Sequence, residues 1–196
     1  ERVSAGLRGE NIYPIYMEMS PIGACNHRCV FCGLDFMGYK NRRLELPMLR
    51  KLIPELGKLG LKSIMHGGEG EPLLHKGFSE IVELTVTSGI DVALTSNGVL
   101  LKKDIAETLI KHCKWVKISI NAGTADTYSK IHRTKPADFD EVIANMSYAA
   151  ELKKKHNYSC ALGMQVILLP ENRNEIETLA KTAKNIGMDY LVVKPY

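Results

Sequence analysis

Three cysteines in the short run CNHRCVFC are the residues of this sequence best suited to chemistry. Cys25, Cys29 and Cys32 follow closely after the strand-like run IYMEMS. A cubane iron–sulfur cluster normally takes one thiolate per iron, so three thiolates leave one iron without a protein ligand. An open position on a metal is where an outside molecule can bind and react. The spacing therefore predicts a catalytic cluster rather than a cluster that only carries electrons.

Two other kinds of site also use closely spaced cysteines. A structural zinc site takes four ligands in paired sets, and His27 could be the fourth, although its place inside the loop makes a strained chelate. A simple electron carrier would need a fourth cysteine, and Cys113 and Cys160 fall in or beside predicted helices and strands. The non-catalytic iron–sulfur carrier remains the alternative to the catalytic cluster.

Length and composition indicate a globular domain with a sizeable core. The chain has 196 residues, of which 45% are hydrophobic and 24% are charged. The net charge of +4 fits an anionic small molecule and gives no strong nucleic-acid signal. No apolar run is long enough to span a membrane. The five cysteines do not form a disulfide framework, and thiolates that bind iron must stay reduced, so we expect a cytoplasmic protein.

Short apolar runs alternate with longer amphipathic stretches along the chain. The runs predict strands at 15–19, 63–66, 92–95, 115–120, 164–168 and 190–193. The stretches predict helices at 47–59, 76–88, 102–111, 137–155 and 175–186. This alternation predicts βαβ units around a parallel sheet, either doubly wound or closed into a partial barrel. We expect one domain over residues 1–196, cut short at its C-terminal end because the strand-like run YLVVKPY has no turn after it.

Polar and glycine-rich segments follow four of the predicted strands, at the ends where parallel α/β folds place their sites. The cysteine run follows the first strand, and the segment 66–72, HGGEGEP, follows the second. Ser-Asn-Gly at 96–98 follows the third strand, and Ser-Ile-Asn-Ala-Gly at 119–123 closes the fourth. His66 is the candidate catalytic residue of this edge, although a lone histidine is equally often a hydrogen-bonded structural residue.

The run CNHRCVFC resembles the signature of the radical S-adenosylmethionine superfamily, and Phe31 matches the aromatic residue that commonly precedes the last cysteine. In that family the three cysteines hold a 4Fe-4S cluster, and S-adenosylmethionine chelates the fourth iron. The resemblance covers nearly the whole chain and implies an α/β fold, a partial (β/α)6 TIM-like barrel with parallel strands. It also implies an enzyme in which the reduced cluster cleaves S-adenosylmethionine to a 5′-deoxyadenosyl radical that abstracts hydrogen from a substrate. The substrate class stays open between a peptide, a sugar, and a nucleoside or other small metabolite.

The same resemblance suggests which residues bind the cofactor. HGGEGEP is similar to a Gly-Gly-Glu-Pro motif that contacts the methionine amino group, in one of two registers, Gly68 with Glu69 or Gly70 with Glu71. The segment that begins at Ser119 is similar to a family segment in which a serine binds the ribose or carboxylate of the cofactor. A later arginine of that family segment pairs with the methionine carboxylate, and Arg133 corresponds to it. The remaining residues implied by the resemblance are Phe31, Asn97, Ser119, Asn121, Arg133, and Val166 and Ile167, whose backbone would contact adenine.

The family resemblance further implies partners. An electron donor such as flavodoxin or ferredoxin would reduce the cluster, and a small-molecule or peptide substrate would enter the barrel. A C-terminal extension of the SPASM type, with auxiliary clusters, is compatible with a core domain of this kind.

Overall fold

The computed structural model describes residues 1–38 and 40–196, and its centre is one parallel sheet with helices connecting the strands. The strands are β1 (Tyr16–Met19), β2 (Ser63–His66), β3 (Asp91–Ser96), β4 (Trp115–Ser119), β5 (Ala161–Leu168) and β6 (Tyr190–Pro195). The helices are α1 (Arg2–Leu7), α2 (Leu46–Lys58), α3 (Phe78–Thr87), α4 (Lys103–His112), α5 (Ala125–His132), α6 (Ala137–His156) and α7 (Ile176–Asn185), and a 3-10 turn covers Pro72–Leu74.

The strand order decides between the two architectures that the sequence left open. The order is β1-β2-β3-β4-β5-β6, and every neighbouring pair is parallel. A doubly wound sheet reverses its order at a switch point, whereas a barrel adds each strand beside the previous one. The partial (β/α)6 barrel is therefore confirmed, with its six predicted strands and five predicted helices.

Alternation along the strands sorts side chains between the helix-packed face and the concave face. On β4, Val116 and Ile118 are fully buried against the helices, whereas Lys117 and Ser119 lie on the opposite, partly exposed face. Burying each such aliphatic side chain stabilises the fold by about 1.5–3 kcal/mol. A register slip of one residue would turn Lys117 into the core, so the apolar pattern also determines that Ser119 faces the concave side.

Glycines in the left-handed conformation end three of the helices. Gly60, Gly89 and Gly187 have φ of 89°, 73° and 85°. In each case the following N–H donates to a carbonyl of the last helical turn, as in the bond from Ile90 to Thr85. The predicted C-terminal stops at Gly60 and Gly187 are thereby confirmed.

Two helices were not predicted, and one of them matters for the site. Helix α5 has only eight residues and is capped at its N-terminus by Thr124, whose side chain accepts a hydrogen bond from the Thr127 N–H. It is too short to show a clear apolar period in the sequence. Over the described ranges, no helix is both long and apolar enough to cross a membrane.

Candidate functional site

The cysteine loop, residues 25–32, lies at the C-terminal edge of the sheet, over a cavity of about 170 Å³. Cys25 and Cys29 are half-buried and Cys32 is exposed. Segments after β1, β2, β3 and β4 all contribute to this cavity, as the sequence predicted for a barrel edge. The predicted site residues that line it are Cys25, Cys29, Phe31, Cys32, Gly68, Gly70, Glu71, Asn97, Ser119 and Asn121.

Hydrogen bonds attach the cysteine loop to helix α5 and to the loop after β3. The Arg28 N–H donates to the His132 carbonyl at 3.1 Å, and the Val30 N–H donates to the Ile131 carbonyl at 2.9 Å. The Asn97 side-chain amide donates to Asn26 Oδ1 at 2.7 Å. The loop that carries the three thiols is therefore held from two sides.

Gly70 allows the loop after β2 to approach the segment that leads into Cys25. Its φ is 77°, and a Cβ at this position would lie 2.4 Å from the Ile22 carbonyl oxygen and 2.6 Å from the Ala24 carbonyl oxygen. The next residue, Glu71, donates its N–H to the same Ala24 carbonyl at 2.7 Å. Only glycine fits this contact, because it has no Cβ and tolerates a positive φ.

The structure distinguishes the two registers of HGGEGEP. The Glu71 carboxylate is buried, and it accepts hydrogen bonds from the Leu73 N–H at 3.1 Å, the Ser96 hydroxyl at 2.7 Å and the Asn97 N–H at 2.8 Å. Burial raises the pKa of Glu71, and these three donors oppose that shift. Glu69, by contrast, is exposed and outside the cavity lining, so the register that pairs Gly70 with Glu71 is the one that the structure favours.

The donor set of the cysteine loop fits a multi-iron cluster better than a single ion. Within the described ranges, the group spaced closely enough for one ion is His27, Cys29 and His132, whose ligand atoms lie within 4.8 Å of one another; the three cysteines do not form such a group. A cubane binds each thiolate on a different iron, so its ligands stand farther apart than those of one ion. The three cysteines therefore do not form a single-ion zinc site.

Burial keeps the thiols of Cys25 and Cys29 protonated. It raises the pKa of Cys29 to about 12, and the neighbouring Cys25 and Cys32 add to the shift. Burial also raises the pKa of Cys25, against a lowering effect of the hydrogen bond from the His27 N–H. Iron must therefore displace these protons, and loading of the site should weaken as the pH falls.

Two buried histidines lie close to the thiols. His27, inside the cysteine loop, was predicted only as a fourth ligand of the zinc alternative, and His132 was not predicted. His132 Nδ1 is 3.2 Å from Cys29 Sγ, and its ring stacks on Tyr128 with a centroid distance of 4.2 Å. His27 packs edge-on against both rings, and its Nε2 lies 3.5 Å from an oxygen of Asp138. Burial lowers the pKa of His132 to about 3 and also lowers the pKa of His27. The spacing of Tyr128 and His132, four residues apart, would have indicated them only if α5 had been predicted.

Two predicted residues lie away from the cavity. His66 is fully buried on the helix-packed face, where its ring meets Phe78 edge-on at 5.2 Å. Because alternate residues of β2 face opposite sides of the sheet, His66 points away from the concave face, and its prediction as a catalytic residue is not supported. Arg133 is exposed at the C-terminal end of α5, with φ of 49°, and its side chain is outside the cavity lining.

Backbone groups of β5 that are predicted to contact adenine already make hydrogen bonds within the chain. The Ile167 N–H donates to Asn121 Oδ1 at 2.8 Å, and the Ile167 carbonyl accepts from the Asn172 side chain at 2.8 Å. Val166 is fully buried on the other face of the strand. The N–H of Ile167 is therefore not free for a ligand, which corrects the simple form of that prediction.

A larger cavity of about 540 Å³ lies beyond the cysteine loop, beside the start of α2. Both arginines of its lining are paired within the chain, Arg43 with Glu45 at 2.8 Å and Arg50 with Glu80 at 2.6 Å. It contains none of the three cysteines, and we assign no function to it.

Comparisons with known proteins identify the family of this chain. The family model described as Radical SAM superfamily matches residues 19–183. The chain is 32% identical to GTP 3′,8-cyclase of Chlorobaculum tepidum over 60% of its own length and 36% of the relative's. It is 30% identical to GTP 3′,8-cyclase of Rhizobium etli over 91% of its own length and 51% of the relative's. The chain thus spans about a third to a half of the length of these curated relatives.

A solved structure supports the fold. The crystal structure of Streptococcus suis SuiB bound to the precursor peptide SuiA superposes with a TM-score of 0.77, at 17% identity, over 99% of this chain and 42% of SuiB. At that identity the likeness concerns the fold alone.

Proposed function

Because this chain belongs to the radical SAM superfamily, we propose that it is the catalytic core of an enzyme that cleaves S-adenosylmethionine reductively. Cys25, Cys29 and Cys32 would hold a 4Fe-4S cluster, which when bound supplies the electron for cleavage and so yields the 5′-deoxyadenosyl radical that takes hydrogen from a substrate. One observation carries the proposal: the three thiols line the same cavity as the glycine-rich loop after β2 and the end of β4. A mere iron–sulfur carrier has no need of those two segments.

The residues around the cysteines would bind and orient the cofactor. The backbone of Gly68 and Gly70 can approach a ligand closely, and the nearby Glu71 carboxylate suits an ammonium group. The hydroxyl of Ser119 lies on the concave face, where it could reach a ribose or a carboxylate. Phe31 supplies an apolar wall, which would help to exclude water from a reactive intermediate.

Arg133 enters this proposal only as a prediction, since its side chain would have to turn from the surface to meet the methionine carboxylate. Asn97 and Asn121 contribute first to the structure of the site, through their bonds to Asn26 and Ile167. We propose that their contact with the cofactor is secondary to these bonds.

The substrate and partners are proposed at a coarser level. SuiB is described with a precursor peptide, and the curated relatives are described as GTP cyclases, so both a peptide and a nucleotide remain candidates. Lys117 and Lys194 lie on the concave face, where burial and then the nearby Lys194 ammonium lower the pKa of Lys117, and two ammonium groups on this face would suit an anionic substrate group. A flavodoxin or ferredoxin as electron donor, and a cytoplasmic location, complete the proposal.

The test is anaerobic. The protein is reconstituted with iron and sulfide, reduced with dithionite and mixed with S-adenosylmethionine, and 5′-deoxyadenosine and methionine are measured. We expect both products, and we expect the variants Cys25→Ala, Cys29→Ala and Cys32→Ala to lose both the cluster and the products. A protein with a full complement of iron that forms neither product would be a carrier. A triple variant with undiminished iron would contradict the assignment of the ligands.

A further inference from the structure

Among the described residues, His132 makes the closest hydrogen-bond contact to the sulfur of a proposed cluster ligand. Its Nδ1 lies 3.2 Å from Cys29 Sγ. Its Nε2 lies 3.1 Å from the Ile120 carbonyl oxygen and 3.5 Å from the side-chain nitrogen of Asn121. The ring is 1% exposed, so water has little access to either nitrogen.

A neutral imidazole carries one proton, and the two possible positions suit two states of Cys29. With the proton on Nε2, the ring donates to the Ile120 carbonyl, and Nδ1 accepts the S–H of a free thiol. With the proton on Nδ1, the ring donates to the sulfur, Nε2 can accept from the Asn121 amide, and the Ile120 carbonyl loses its donor. A thiolate has no proton to give, so only the second arrangement makes a favourable bond to it.

Asn121 is oriented for this second arrangement. Its Oδ1 accepts the Ile167 N–H at 2.8 Å, which turns the amide nitrogen toward His132. Its backbone has φ of 52°, an uncommon conformation for a residue other than glycine, and Asn172 donates to its carbonyl at 2.8 Å. The surroundings thus hold the donor in place at some conformational cost, as is common at functional sites.

We propose that His132 is a positioning residue for the cluster: when Cys29 binds iron as a thiolate, the His132 proton lies on Nδ1 and is donated to the sulfur, and the Asn121 amide takes over as the donor to Nε2. The inference rests on the proposed function, because it requires that Cys29 binds the cluster. A hydrogen bond to a ligand sulfur stabilises the more negative, reduced cluster and therefore raises its reduction potential. The chain would thereby ease the loading of the electron that the reaction needs.

The test compares three variants of the reconstituted protein by redox titration monitored by electron paramagnetic resonance, with iron and zinc per chain measured alongside. His132→Phe keeps an aromatic ring on Tyr128 but removes the donor. His132→Asn places an amide near the position of Nδ1. His66→Phe is the matched control, because it replaces a buried histidine on the other face of the sheet.

We expect His132→Phe to lower the ratio of reduced to oxidised cluster about tenfold at a fixed potential, equivalent to a downward shift of about 59 mV for a one-electron couple. His132→Asn should recover most of that shift, and His66→Phe should match the wild type. If His132→Phe loads little iron, recovery of both loading and potential by His132→Asn would support the same hydrogen bond.

Several outcomes would overturn the inference. An unchanged potential in His132→Phe, or equal shifts in the Phe and Asn variants, would show that the hydrogen bond does not act on the cluster. Loss of iron from both variants would show that an amide donor near Nδ1 does not restore loading, which contradicts a role limited to this hydrogen bond. If each wild-type chain binds one zinc ion and His132→Asn binds none, the site holds a single ion at His27, Cys29 and His132. If wild-type protein cleaves S-adenosylmethionine in any of these cases, the proposed function stands and only the role of His132 fails.

Discussion

Replacing Gly70 with alanine should damage the cysteine loop from outside it. The new Cβ would lie 2.4 Å and 2.6 Å from the carbonyl oxygens of Ile22 and Ala24. Both are backbone atoms, so the clash can be relieved only by moving the segment that leads into Cys25. That movement would also weaken the hydrogen bond from the Glu71 N–H to Ala24.

The cost of Gly70→Ala has two parts that a control can separate. Alanine in the left-handed conformation costs about 1–2 kcal/mol. Overpacking against the backbone and loss of a buried hydrogen bond add about 1–3 kcal/mol. Gly89 has a similar φ of 73°, but a Cβ there would have no atom within 4 Å. Gly89→Ala therefore carries the first cost without the second.

Urea unfolding of both variants, together with iron per chain after anaerobic reconstitution, tests this reasoning. We expect Gly89→Ala to lose about 1–2 kcal/mol of unfolding free energy and to load iron like the wild type. Gly70→Ala should lose about 2–5 kcal/mol and load clearly less iron. Equal losses of stability and equal iron contents in the two variants would refute the claim that this close approach shapes the cysteine loop.

Three further predictions concern polar groups away from the thiols. Burial lowers the folded-state pKa of His66 from 6.5 to about 4, so the folded protein keeps this ring neutral, and about 3 kcal/mol of unfolding free energy is lost as the pH falls from 6.5 through 4. In urea unfolding over this pH range, the free energy of unfolding of His66→Phe should change less steeply with pH than that of the wild type, and an identical slope would contradict the shift. Asn172→Asp removes the buried donor to the Ile167 carbonyl and should cost about 1–3 kcal/mol in thermal unfolding, whereas an unchanged melting temperature would show that the bond is dispensable. Ser20→Ala removes the hydroxyl that donates to the Gly67 carbonyl. We expect the opening free energy of the loop after β2 to fall by about 0.5–1.5 kcal/mol, measured as faster amide hydrogen exchange, and unchanged exchange would show that this bond does not hold the loop.

The large-scale features of this protein are local in origin, and the sequence determined them. The apolar runs of β1–β6 and the amphipathic stretches between them follow from the two periods of backbone geometry, which act within a few residues. The spacing of Cys25, Cys29 and Cys32 is equally local. These features sufficed to predict a parallel sheet and the edge that carries the site, and the resemblance of the cysteine run to a known family added the barrel and the family.

The details of the site depend on segments that are distant along the chain. His66 follows β2 at the predicted edge, but the pleat of the strand turns it into the core against Phe78. His132 and Cys29 are 103 residues apart, and only the docking of α5 on the cysteine loop brings their side chains to 3.2 Å. The sequence by itself therefore determined which groups could bind iron, whereas the tertiary structure decided which polar groups surround them, because those contacts join elements that no local pattern relates.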